Sequence, residues 1–239
     1  MKQLSFVAAS YALVAGAGIA AADPGALLVR EQVPAGPITA APGLGGEIQA
    51  GWGGAHAEAI GGLTAEALLF ERLTIAAGVQ YDVGSTRPSA TASFVIVDAN
   101  AHPIGVLAAV AYKPEGLTEP DGEIESTLAI SRRIGAGLAT ASVTFGADLD
   151  AAHHDGEAAA SAIEPVTQTT AVGGVARVRD GLGSSTDLGA RWDSLFGAVA
   201  RGRLGTYTLT AVGGGEAIGQ VMGGTKLGVL GMLALGAWW

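Results

Sequence analysis

From Gly46 to the C-terminus, apolar side chains recur at every second position along runs of about ten residues, the signature of strands with two unlike faces. The last run, K-L-G-V-L-G-M-L-A-L-G-A-W-W over 226–239, is the clearest. Trp239, Ala237, Leu235, Leu233, Gly231, Val229 and Leu227 share one parity, while the other is smaller and ends on Lys226. A strand that closes the chain on an aromatic, with no polar tail, suits a face turned to hydrocarbon. The cleanest hairpin lies earlier. Glu58 to Phe70 sets Leu63, Ala65 and Leu69 opposite Glu58, Thr64 and Glu66; after a turn at Glu71-Arg72, Leu73, Ile75, Val79 and Tyr81 oppose Thr74, Gln80 and Asp82. Acids gather on one side and aliphatics on the other, as a wet interior and an oily exterior require.

The same alternation predicts further strands over Ser89–Val97, Pro103–Lys113, Glu123–Arg133, Gly137–Gly146, Glu157–Glu164, Thr167–Arg179, Asp187–Ala200, Arg203–Gly213 and Lys226–Trp239. With Gly46–Gly54 ahead of Glu58, the count becomes twelve; ten is the alternative if the alanine-rich 157–164 run fails to pair. Gly214 to Thr225 reads as a glycine-rich connection. Lipid offers no partner to an unpaired strand edge, so strands that cross a bilayer close into a cylinder. The expected fold is therefore all-β, a single antiparallel transmembrane β-barrel over 46–239.

Residues 1–22 have the layout of a cleaved secretory signal peptide: Lys2, an apolar run from Leu4 to Gly18, and Ala20-Ala21-Ala22 before Asp23-Pro24. Residues 23–45 hold four prolines and no periodicity, and read as an irregular periplasmic lead-in in which Ala26 to Gln32 could form a helical or plug-like turn. Hydrophobic residues make up 49% of the 239, yet aromatics only 5%, with 38 glycines. Such a mixture fills a conventional core poorly and suits a wall whose outer packing is lipid. No cysteine is present, which excludes disulfides, thiolate catalysis and cysteine-held metal. Loss of Lys2 takes the 13 basic residues to 12 against 22 acidic ones, moving the net charge from −9 to −10, which argues against nucleic acid as a partner.

The terminal pattern Leu233, Leu235, Ala237 and Trp239, with Gly231 more weakly, resembles the insertion signal of bacterial outer-membrane β-barrel proteins of porin-like kind. The resemblance covers one strand. It implies residence in the bacterial outer membrane, with the lipid bilayer and the outer-membrane assembly machinery, which reads the last strand, as partners. Y-K-P-E-G at 112–116, with D-G-E-I-E at 121–125 and Arg132-Arg133, resembles a pattern recurring in uncharacterised barrels and implies no activity.

Twelve strands spaced about 4.8 Å apart and tilted about 40° enclose a cylinder roughly 24 Å across between backbones, which inward side chains narrow further. The charged candidates for that lining are Glu47, Glu58, Glu66, Asp82, Glu123 and Glu125 on earlier strands, and Arg133, Arg177, Arg179, Arg191 and Asp193 on later ones. Acids opposed to bases across a lumen would set up a transverse field, a constriction for small polar solutes. The alternative is a closed structural or surface-interaction barrel whose interior charges satisfy one another. A barrel lipid hydrolase, the remote third reading, needs a Ser–His pair, and none of His56, His102, His153 or His154 sits in a serine motif. No catalytic, cofactor-binding or metal-ligating set is expected. Asp148, Asp150 and Asp155 lack the spacing of a calcium hand, and the aromatics Trp52, Tyr81, Tyr112, Phe145, Trp192, Tyr207 and Trp239 read as interfacial girdles.

Overall fold

A computed structural model describes residues 43–54, 58–69, 72–82, 85–98, 101–114, 122–149, 154–182, 190–220 and 224–238. The expected signal peptide, the lead-in up to residue 42, His56, His153 and Trp239 lie outside the described residues.

The chain forms twelve strands: β1 (Gly43–Gly54), β2 (Glu58–Leu69), β3 (Leu73–Asp82), β4 (Ser85–Val97), β5 (Ile104–Pro114), β6 (Gly122–Ile134), β7 (Gly137–Asp148), β8 (His154–Pro165), β9 (Thr170–Leu182), β10 (Ala190–Leu204), β11 (Tyr207–Gln220) and β12 (Thr225–Trp238). Each pairs antiparallel with its neighbour in sequence, and β1 pairs with β12, so the sheet is a closed barrel with no free edge. Ten or more residues per strand are enough to cross the hydrocarbon when tilted. The alanine-rich β8 pairs over 154–163 with β7 and along its whole length with β9, which makes the count twelve rather than ten.

Alternation is visible in burial. In β6, Glu125, Thr127, Ala129 and Ser131 are buried while Ile124, Leu128 and Ile130 are exposed. In β12, Leu227, Val229, Leu233 and Leu235 face out, the last two 56% and 49% exposed. Ile48, Leu63, Val110, Val143 and Leu209 continue the apolar belt round the outside. Trp52, Phe145 and Trp192 are exposed towards one end of the barrel, and Tyr207, the first residue of β11, stands at the other. The end carrying Tyr207 also carries the start of β1, the end of β12 and the two-residue hairpins 135–136 and 205–206; short turns of this kind face the periplasm, and it is termed the inner end. Gly135 and Gly205 open those hairpins with φ of 63° and 61°, the left-handed region glycine adopts without strain.

Several boundaries differ from the sequence expectation. β1 starts at Gly43 rather than Gly46, β4 at Ser85 rather than Ser89, and β9 runs over 170–182 rather than 167–179. The turn expected at 201–202 falls at 205–206, and the expected 214–225 connection is strand as far as Gln220. Glycine misleads here because it is demanded by packing inside the sheet. Gly214 pairs with Gly197 and Leu230, and a Cβ on it would stand 2.5 Å from the Phe196 carbonyl oxygen.

The interior is also less uniformly polar than the alternation suggests. Ile163, Ala171, Leu195, Val199, Val212, Leu230 and Met232 form one buried apolar cluster on β8–β12, and Val95, Leu107, Ala109 and Ala129 a second on β4–β6. In β12 both faces are apolar: lipid takes one, and the inward side chains of β8–β11 take the other.

Candidate functional site

The polar part of the interior concentrates at the outer end of β5–β10. Lys113 stands near the end of β5, Glu123 and Glu125 near the start of β6, Asp155 and Glu157 near the start of β8, Arg177 and Arg179 late in β9, and Asp193 early in β10. Strand direction alternates, so late positions on odd strands and early positions on even strands meet at the same end. All eight have the inward parity. The ladder puts Lys113 beside Glu123, Glu157 beside Arg179, and Arg179 beside Asp193.

Arg177 is the hub. Its Nη2 donates to Asp193 Oδ1 at 2.9 Å, and its Nε stands 3.9 Å from Glu157 Oε2, with all three residues only 5% exposed. Arg179 Nε donates to Asp155 Oδ2 at 2.6 Å. Lys113 Nζ pairs with Glu125 Oε1, whose side chain is fully buried. Gly146 leaves room for this cluster: a Cβ there would collide with both Glu123 Oε1 and Asp155 Oδ1. Beyond it, Thr127 and Thr144 join β6 to β7 through a 2.8 Å hydroxyl hydrogen bond. Isolated charges buried this deeply would be costly, and mutual pairing is what makes their burial tolerable.

A smaller group lies at the inner end. Gln49 Nε2 donates to Glu47 Oε1 at 2.6 Å on β1, and Glu66 is buried on β2. Arg133 is half-buried near the end of β6. Arg201 Nε donates to Thr210 Oγ1 at 3.1 Å, and Arg203 Nε to the Gly205 carbonyl at 2.8 Å.

Of the lining residues expected from the sequence, Glu123, Glu125, Arg177, Arg179 and Asp193 meet in the outer cluster, while Glu47, Glu66 and Arg133 belong to the inner end. Glu58 and Asp82 take backbone positions of inward parity, Arg191 falls in the irregularity of register between Ala190 and Trp192, and the side chains of all three are outside the described residues. Sequence reasoning missed Lys113, Asp155, Glu157, Arg201, Arg203 and Glu216. The ion pairs of Arg177 with Glu157 and Asp193, and of Arg179 with Asp155, join neighbouring strands. Adjacent strands lie about 4.8 Å apart, within reach of one side chain, whereas the opposite wall is not. His154 opens β8 on the outward face, its ring stacked on Phe145 at 5.5 Å, while Asp155 turns inward. The two therefore point apart.

No protein-family model matches the chain, and no curated protein matches it by sequence. Solved structures do match. The NanC porin aligns with a TM-score of 0.62 at 5% identity, covering 80% of this chain and 98% of its own. The KdgM porin aligns with a TM-score of 0.57 at 8% identity over 80% and 98%. An outer membrane channel from Pseudomonas putida F1 aligns with a TM-score of 0.54 at 13% identity over 93% and 100%. At such identities the likeness is one of fold. Closed barrel and apolar belt together are those of a porin-like barrel of the bacterial outer membrane.

Proposed function

We propose that this chain is a narrow passive pore for small polar solutes, exported through a cleaved signal over residues 1–22 and delivered to the outer membrane by the assembly machinery acting on Leu233, Leu235, Ala237 and Trp239. The observation that carries the reading is the dense cluster of interior charge at the outer end of a closed barrel whose outside carries an apolar belt. A barrel that served only as a membrane anchor would need no such investment of paired charge inside. Lumen charge in this reading is lopsided, dense on the β5–β10 wall and sparse where Leu230, Met232 and Ala234 line β12. The structural neighbours named above are porins and channels, one of them the KdgM porin, also solved in complex with disordered oligogalacturonate. A polycarboxylate of that kind suits this lumen poorly, because carboxylates outnumber bases in the outer cluster. No catalytic role is proposed.

The second reading, a closed structural or surface-interaction barrel, draws on the apolar cluster, in which Leu195 and Leu230 are 1% and 3% exposed and take up part of the bore. Single-channel recording of the refolded protein in planar bilayers separates the two. Discrete conductance steps support the pore. A barrel that migrates as a folded, heat-modifiable species yet passes no current identifies the closed form.

A further inference from the structure

The charges of the outer cluster are not balanced. Five carboxylates, Glu123, Glu125, Asp155, Glu157 and Asp193, share it with three bases, Lys113, Arg177 and Arg179. Farther round the same end, among the residues whose side chains are described, Asp148 and Glu216 add two carboxylates on inward parity, and Arg87 and Lys226 add two bases, which leaves the excess unchanged; Glu58 and Asp82 also hold backbone positions of inward parity at this end. The bases are drawn to particular acids: Arg177 to Asp193, Arg179 to Asp155 and Lys113 to Glu125. Glu157 is served weakly for a buried acid. It is 5% exposed, its Oε2 accepts no hydrogen bond among the described residues, and the Arg177 Nε beside it is 3.9 Å away. Packing over Gly146 brings Glu123 and Asp155 together at the same mouth.

Resting on the pore reading, we infer that this lumen selects for cations, with small cationic solutes and inorganic cations as the favoured class and anions disfavoured at the outer mouth. The physical basis is the potential of an uncompensated negative pair in a narrow bore, where low-dielectric walls concentrate the field. One net charge at about 10 Å in water changes the local concentration of a monovalent ion about twofold, and screening at 0.1 M salt reduces this to roughly 1.3-fold. Because the effect is opposite for cation and anion, an excess of two charges gives a permeability ratio of about three.

The test is the reversal potential of single channels in a potassium chloride gradient, buffered on the alkaline side so that all five carboxylates of the cluster are ionised. Wild-type protein is expected to favour potassium over chloride about threefold. The double variant Glu123→Gln, Asp155→Asn removes the excess and brings the ratio close to one. Arg179→Gln enlarges the excess and raises the ratio to about five. Heat-modifiable migration on a gel verifies that each variant is folded, and Glu157→Gln, which removes one charge and leaves Arg177 its hydrogen bond to Asp193, provides a second neutralising variant. Channels that conduct with a ratio at or below one, or a ratio unmoved by all three variants, overturn the inference and leave the pore standing. A folded barrel without current sinks the pore reading first and the inference with it.

Discussion

Replacing Gly53 by alanine removes no contact, yet it strikes the seam at which β1 closes on β12. Gly53 pairs with Leu230 and has φ of 126°, a conformation that side-chain-bearing residues rarely adopt. A Cβ there would run into the Val229 carbonyl oxygen, so the backbones must separate at the one junction that makes the sheet a cylinder. Forcing an L-residue into such a conformation costs about 1–3 kcal/mol, and relieving an overpacked contact costs about 1–3 kcal/mol more. The expected loss is therefore roughly 2–6 kcal/mol by these two terms. Gly231 provides the control. It pairs with Trp52 at the same seam, faces outward, and has nothing within 4 Å of the position a Cβ would take. Alanine there should be neutral, or gain up to about 1 kcal/mol from the reduced freedom of the unfolded chain. Reversible denaturant unfolding of both variants in lipid vesicles measures the difference. Equal costs, or a Gly53→Ala change below about 1 kcal/mol, would refute the claim that backbone approach at the seam, rather than flexibility, requires this glycine.

Arg177→Gln should destabilise the barrel by about 3–5 kcal/mol, because it leaves Glu157 and Asp193 buried without their main counter-charge; the same unfolding assay checks it, and a loss no larger than that of exposed Arg132→Gln would contradict the ion-pair assignment. Leu233→Arg sets a charge on the hydrocarbon face and should cost about 2–4 kcal/mol near mid-membrane. Gly236→Ala, on the inward parity of the same strand, adds a Cβ whose nearest neighbours stand 3.7 Å away, so its unfolding cost in the same assay should be far smaller. Trp239→Ser with Leu235→Ser should lower the amount of barrel assembled in cells while detergent refolding of purified protein is nearly unchanged; equal loss in both would place the defect in the barrel's stability instead of in recognition by the assembly machinery.

The strands are legible because a barrel wall repeats one rule: every second residue meets lipid. Ile48, Leu63, Ile75, Val110 and Leu233 all declare themselves by spacing. The rule weakens where small residues serve both faces. In β8 the run E-A-A-A-S-A-I-E shows little contrast between inside and outside, so Glu157 does not stand out as a lining residue, and Asp155 reads as part of a loop. In β11 the triple glycine 213–215 imitates a connection and hides Glu216, which is buried beyond it. Which acid meets which base is a matter of register between strands, and one strand's parity does not contain it. Arg177 and Arg179 share one face by sequence alone, but their pairing with Asp193 and Asp155 requires the ladder. The apolar inner face of β12 is equally hidden, since Leu230 and Met232 resemble lipid-facing residues in everything except neighbours.

The chain contains no cysteine, so single cysteines placed one by one over 229–236 and labelled with a fluorophore report each position of β12 without background. With a quencher attached to lipid acyl chains, positions 229, 231, 233 and 235 should be strongly quenched, and positions 230, 232, 234 and 236, whose side chains face the interior, should be weakly quenched. Uniform quenching along the strand, or strong quenching at 230, 232 and 234, would contradict a wall with hydrocarbon on one side and the protein's own interior on the other.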